Sequence, residues 1–230
     1  MSGEPIFITL CDANNPSVQP LYSSLQGNLH ILDNYSPRLG LLSKIFKVQE
    51  FLASDTNIAD DQIIVFTDAY DVLCIRYDPE KLAAEFRAEG KDLILGAETV
   101  FAHHSSDTLP FFLSNYLNQP ARYLNSGFVI AYKWAYLRML NYIVDNFVEK
   151  YMMDCRQNDQ RVISRFMLEN TELGLLNMDI DSSCKFCRTH TYDNNPLCPE
   201  KLTSYFVHVT WLALEMQRQA YDEIRRIFKI

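Results

Sequence analysis

The sequence predicts an α/β fold in which a mainly parallel sheet carries helices on both faces. Three observations lead there. Short apolar, β-branched runs alternate along the chain with longer stretches at helical spacing. The run Ile63-Ile64-Val65-Phe66 is apolar at every position, as a central strand covered on both sides should be. Hydrophobic residues make up 48% of the 230, ample for a core, while 7 glycines and 9 prolines exclude a collagen-like, linker-rich or low-complexity chain. The length suits one large domain, so residues 1–230 read as a single unit.

The elements follow in order. Ile6–Leu10 is a buried first strand that empties into a loop at Cys11–Pro16. A helix is predicted over Ser17–Gln26 and a second strand at Leu29–Leu32. Ser36-Pro37 is a good helix start, with Ser as cap and Pro in the first turn. Leu41, Ile45, Val48 and Leu52 then lie on one helical face. Past the strand at Ile63–Phe66, Asp78-Pro79 opens a helix that buries Leu82 and Phe86 and stops at Gly90. Leu93–Leu95 and Phe128–Ala131 are further strands, the latter after a turn at Asn125-Ser126-Gly127. Helices are predicted over about Trp134–Tyr151 and Asp159–Leu168, with a short strand at Leu175–Met178. At the C-terminus Trp211, Leu214, Tyr221, Ile224 and Phe228 form one helical stripe, with Arg218, Glu223 and Arg226 among its polar positions.

Charge narrows the function classes. Lys+Arg 21 against Asp+Glu 29 leaves a net charge of −8, the wrong sign for a general nucleic-acid binder. The opening Met1-Ser2-Gly3-Glu4-Pro5 has no basic segment, and no run approaches the ~18 apolar residues of a membrane span. The 6 cysteines are too sparse for a disulfide framework, which makes a reducing, cytoplasmic setting the default.

The sharpest local feature is Phe66-Thr67-Asp68-Ala69-Tyr70-Asp71-Val72, where two carboxylates follow the end of the clearest strand. Ligands of open α/β sheets bind beyond such strand ends, and paired carboxylates there can hold a divalent ion that also takes diphosphate oxygens. Spacing alone leaves a second reading open, with Asp68 capping a turn and Asp71 solvated. No Gly-x-Gly-x-x-Gly, no P-loop and no Gly-x-Ser-x-Gly elbow occurs, so a bound phosphate would need a metal and side chains to neutralise it.

These residues resemble the glycosyltransferase domain of procollagen lysyl hydroxylases and related collagen glycosyltransferases. Phe66–Val72 is similar to that family's metal-binding segment. Ala97-Glu98, Leu124-Asn125-Ser126-Gly127-Phe128, Asn158-Asp159-Gln160 and Phe206-Val207-His208 then resemble its later motifs in the same order. The matches run from about Ile6 to Trp211. Departures occur at Val100-Phe101-Ala102, where the family has Cys-Trp-Pro, at Asn158, where it has Asp, and at Val209-Thr210-Trp211, where it has Gly-Asn-Gly.

The resemblance implies a GT-A-like, Rossmann-type sheet that binds a UDP-sugar through Mn²⁺. It implies Asp68, Asp71 and His208 as metal ligands, a set that suits Mn²⁺ better than Mg²⁺ because it includes an imidazole. It implies Tyr70 stacking on uracil, Lys44 near the phosphates, Asn125 and Asp159 facing donor sugar or acceptor, and Thr9, Ser126 and Glu98 completing the donor side. The reaction implied is transfer of glucose or galactose from UDP-glucose or UDP-galactose to a hydroxyl of a glycan or protein, hydroxylysine of a collagen-like chain included.

Each residue also has a plain structural reading. His208 can be a satisfied core histidine, Tyr70 a core aromatic, Lys44 a surface lysine, Asp159 a helix cap and Glu98 a strand-end charge. Rival functions are a non-catalytic nucleotide-sugar or glycan-binding domain and a nucleotidyltransferase. Separately, Cys184-x-x-Cys187-x-x-His190 with Cys198 has a metal-like look, but the spacing is irregular for zinc, and a disulfide or free thiols are the alternatives.

Overall fold

The computed structural model describes residues 3–33, 36, 38–153, 157–190, 202–210, 222 and 224–228. In chain order its strands are β1 (Ile6–Leu10), β2 (His30–Leu32), β3 (Ile63–Thr67), β4 (Val72–Cys74), β5 (Leu93–Glu98), β6 (Tyr123–Tyr132), β7 (Met178–Ile180), β8 (Cys187–His190) and β9 (Phe206–Val209). The α-helices are α1 (Gln19–Ser24), α2 (Ser43–Ser54), α3 (Pro79–Ala88), α4 (Leu109–Tyr116), α5 (Lys133–Asp145) and α6 (Asp159–Leu173). No helix among the described residues is long and apolar enough to cross a membrane.

The main sheet has the order β2-β1-β3-β6-β5-β7. β1 pairs in parallel with β2 and β3, and β5 with β7, while β6 runs antiparallel between β3 and β5. Alternate residues of the central strands serve opposite faces. Ile8, Ile64, Phe66, Leu95 and Val129 pack under α2, α5 and α6. Phe7, Ile63, Val65 and Ile130 pack under α1, α3 and a second sheet. Helices therefore lie on both faces, as the alternating pattern predicts, and the site sits at the carboxyl end of β3.

That second sheet, β4-β9-β8, was not legible in the sequence. Its strands are three or four residues long and carry too few alternations for a period. Phe206 turns to the main sheet, and Val207 and Val209 turn to Ile224 and Phe228 of the helical stretch 224–228. The rest of the predicted C-terminal stripe, with Trp211, Leu214 and Tyr221, lies outside the described residues, as do Arg218, Glu223, Cys198 and Pro37.

Several boundaries differ from expectation for local reasons. The Asn125-Ser126-Gly127 turn is instead part of β6, where pairing with β5 jumps from Val129 to Asn125 and the strand bulges. The helix expected from Ser17 begins as a 3₁₀ turn at Pro16–Val18, capped by the Asn15 side chain, and α1 is short. The helix expected from Ser36-Pro37 starts only at Ser43, because Ser36 is tied to the Ser43 hydroxyl and Gly40 takes a left-handed φ. The Trp134–Tyr151 helix divides into α5 and a π-helical turn at Phe147–Tyr151. The strand expected at Leu175–Met178 moves to β7, since both backbone groups of Leu176 are already bonded to the Asn170 side chain.

One buried carboxylate holds the second sheet in place. Asp181 accepts the backbone N–H groups of Lys185 at 2.8 Å, Phe186 at 2.7 Å and Cys187 at 2.7 Å, which starts β8 beside β9. Removing it leaves buried donors unpaired. Asp181→Ala is expected to lower unfolding free energy in urea by about 3 kcal/mol; a change below about 0.5 kcal/mol would show that the turn holds itself.

Candidate active site

Antiparallel β6 explains how distant residues meet. Its first half lies beside the carboxyl ends of β3 and β5, so Asn125–Gly127 face the turn that follows Thr67. That turn, Asp68–Asp71, links the two sheets. The Asp68 N–H donates to the Gly127 carbonyl at 2.9 Å, and the Val209 N–H donates to the Asp71 carbonyl at 2.8 Å. Val72 pairs with His208 across β4 and β9. Asp68, Asp71 and His208 are thereby gathered with one ligand atom each, all within 4.8 Å of one another.

His208 is buried and fixed from behind. Asn125 Oδ1 accepts the Gly127 N–H at 2.9 Å, which makes it an acceptor, and it lies 3.1 Å from His208 Nδ1. Nδ1 must then carry the proton and donate. Nε2 faces the carboxylates, 3.2 Å from Asp71 Oδ2 and 3.8 Å from Asp68 Oδ2, yet makes no hydrogen bond among the described residues. Burial alone would lower the His208 pKa. The charge of Asp71, with Asp68 and Glu98 behind it, outweighs burial and raises it. An imidazole nitrogen aimed at two carboxylates without a hydrogen bond is a gap suited to a cation, and the N/O donor set fits Mn²⁺.

Gly127 makes this gap possible. A Cβ there would lie 2.8 Å from Asp68 Oδ2 and 2.7 Å from His208 Nδ1, and would collide with His208 Cε1. Only a residue without a side chain permits the approach.

Lys44 supplies the neighbouring positive charge. From α2 its Nζ lies 2.8 Å from Asp68 Oδ1 and 2.8 Å from Asp159 Oδ2. Burial opposes its charge, but Asp159 and then Asp68 hold its pKa above the ordinary lysine range. Asp68 is depressed: burial would raise it, and Lys44 followed by His208 pulls it down. The surface-lysine reading of Lys44 fails on its burial. So does the capping reading of Asp159, because the cap of α6 is Asn158, whose side chain accepts the Arg161 N–H at 3.0 Å.

The remaining predicted residues divide. Asn125, Ser126, Asp68, Asp71, Lys44, Asp159 and His208 line one polar cavity of about 240 Å³. Tyr70 lies in an adjoining cavity of about 510 Å³ with Leu10, Cys11 and Asp12, and at 44% exposure it is not a core aromatic. Thr9 is not in either cavity: fully buried, it donates its hydroxyl to the Thr67 carbonyl at 2.8 Å. Glu98 is also buried behind the wall, where Gln160 Nε2 donates to it at 2.7 Å. Gln160 Oε1 meanwhile accepts the Ser126 N–H at 3.1 Å, taking up a donor that the bulge freed. Sequence reasoning missed the site roles of Gly127 and Gln160, and of Thr210, whose buried hydroxyl lines the polar cavity without a hydrogen-bond partner among the described residues. Cys184 and Cys187 are buried free thiols and, with His190, do not form a ligand group; the described residues offer only the Asp68–Asp71–His208 set.

Solved structures share this fold. The chain superposes on galactosyltransferase LgtC, solved with donor and acceptor sugar analogues, with a TM-score of 0.54 at 11% identity over 97% of this chain and 95% of that one. It superposes on a glycosyltransferase involved in glycosylation of the major capsid of PBCV-1, with a TM-score of 0.60 at 10% identity over 96% and 100%. Mouse xyloside xylosyltransferase 1 gives a TM-score of 0.53 at 12% identity over 89% and 96%. The fold is that of a GT-A glycosyltransferase. Residues 30–194 match the PLOD GT domain, and the chain belongs to that family. No curated protein matches the sequence significantly.

Gly127→Ala provides a direct test of the packed ligand set. The added methyl must push His208 or Asp68 aside, so Mn²⁺ affinity measured by electron paramagnetic resonance is expected to fall by at least about tenfold. Unchanged affinity would mean that these side chains do not meet at a metal.

Proposed function

We propose that the chain transfers glucose or galactose from a UDP-sugar to a hydroxyl acceptor, with Mn²⁺ held by Asp68, Asp71 and His208. The observation that carries this reading is the buried His208 Nε2, which makes no hydrogen bond among the described residues and faces two carboxylates where the polar cavity meets a larger, more apolar one. A bound metal ion would draw charge from the leaving diphosphate as a Lewis acid. The fold class and the sugar-transferring neighbours support the reaction type.

The chain's own groups fit the remaining tasks. Tyr70, exposed in the larger cavity, offers a ring face for a base. Lys44 stands where the two cavities share a wall, so its ammonium can turn to a phosphate oxygen. Thr210 adds a hydroxyl donor beside His208. Asn125 and Asp159 present polar groups to a sugar in the inner cavity. In the transfer, an acceptor oxygen bonds to the anomeric carbon and the bond from that carbon to the diphosphate oxygen breaks. Its electron pair leaves with UDP, and the hydroxyl proton passes to a base or solvent.

No glycine-rich cradle is present to hold the phosphates, so nucleotide binding depends on the ion. Calorimetry is expected to give UDP binding with Mn²⁺ that weakens at least about tenfold in EDTA. Asp71→Asn is expected to abolish that metal dependence while its metal-free melting temperature stays within about 2 °C of the parent. Equal UDP affinity with and without metal would sink the metal-bridged reading. A large fall in melting temperature would make Asp71 a structural residue.

A further inference from the structure

Asp68 has two oxygens, and they serve different partners. Oδ2 faces His208 Nε2 at 3.8 Å, on the side of the candidate ligand set. Oδ1 is taken by the Lys44 ammonium at 2.8 Å, and the same Nζ lies 2.8 Å from Asp159 Oδ2. The Lys44 side chain is 11% exposed and that of Asp159 3%, so water and salt screen this charge cluster weakly. A carboxylate proposed to hold a divalent ion thus already carries a resident cation at its other edge.

The lysine is fixed at its base and free at its tip. Its neighbours Ser43 and Ile45 are buried, and the Ser43 hydroxyl donates to the Ser36 carbonyl at 3.0 Å, which pins the first turn of α2. The stem beyond is flexible, and Lys44 lines both the polar cavity and the Tyr70 cavity, so the ammonium has space to swing. Its charge acts with opposite sign on the two ligands. It repels a divalent ion and competes with it for Asp68, but it attracts a diphosphate. A metal ion arriving alone meets a site that Lys44 weakens. An ion arriving with a diphosphate brings an anion that draws Lys44 away from Asp68.

We propose that Lys44 couples the two ligands: in the free protein it holds down the affinity for the divalent ion, and a nucleotide diphosphate lifts that restraint by taking over the ammonium. Ion and nucleotide then bind as a pair, and the ion is not a permanent resident. The proposal rests on the donor reading above and adds to the phosphate contact of Lys44 a role against the metal. Such coupling is reciprocal in binding free energy, so it can be read from either ligand.

Mn²⁺ titrations followed by electron paramagnetic resonance test this in the parent, Lys44→Gln and Lys44→Met, each with and without UDP, after melting curves confirm that the variants fold. Without UDP, both variants are expected to bind Mn²⁺ at least about tenfold more tightly than the parent. The gain on adding UDP should be smaller than the parent's by at least about tenfold. A lysine that merely held the cleft together would, when replaced, weaken Mn²⁺ binding instead. A crystal structure of the parent with Mn²⁺ and UDP reads the exchange with no substitution at all, and decides the matter if neither variant folds. Lys44 Nζ should then lie within about 3.2 Å of a phosphate oxygen and beyond hydrogen-bonding distance of Asp68 Oδ1. Lys44 still bonded to Asp68 Oδ1 in that complex, or unchanged or weaker Mn²⁺ binding by the folded variants, would overturn the coupling by itself. If the parent binds no Mn²⁺ even with UDP, the donor reading fails and this one with it.

Discussion

Three carboxylates meet at the carboxyl end of β3, and their mutual repulsion is the constraint that the surrounding structure answers. Asp68 and Asp159 share Lys44 between them, 2.8 Å from each. Asp71 and Asp68 face the His208 imidazole. Like charges drawn this close need such partners, and losing one from a buried set costs on the order of 3 kcal/mol. The cleft is thus a negative site that Lys44 offsets only in part. A divalent ion and a nucleotide diphosphate would bring both signs of charge to the same place.

The fold gathers these groups through one reversed strand. Because β6 runs against β3 and β5, its first residues fall beside their carboxyl ends, where ligands of α/β sheets bind. The bulge opposite Leu95 and Gly96 then frees the N–H groups of Ser126 and Gly127 from the ladder, and Gln160 and Asn125 accept them. The same Asn125 oxygen fixes the His208 tautomer. Strand direction, bulge and imidazole orientation form one chain of causes. Behind it, the Asp181 carboxylate seats β8 against β9, the strand that carries His208.

Parts of this were legible in the sequence and parts were not. β3 was readable because Ile63–Phe66 are all apolar, and Asp68 and Asp71 because they lie in the turn just past it. The small second sheet was hidden because three- or four-residue strands display no period. Asn125-Ser126-Gly127 has the composition of a turn but serves as a bulged strand, since side chains rather than a tight turn satisfy its backbone. Gly127 carried no local signal, as its requirement comes from His208, far away in sequence. Thr9 illustrates the converse: the resemblance implied a donor-side role, but register spends its hydroxyl on Thr67. The pairing of Lys44 with Asp159 likewise depends on two helices meeting above the sheet, which no local pattern encodes.

The central claim is that Asp68, Asp71 and His208 hold one divalent ion. Anomalous diffraction from crystals soaked in MnCl₂, collected on both sides of the manganese absorption edge, tests it most directly. The account predicts a single strong peak between the Asp68 and Asp71 carboxylates and His208 Nε2, absent from His208→Ala crystals. No peak there, or a peak of equal height in the His208→Ala protein, would contradict it.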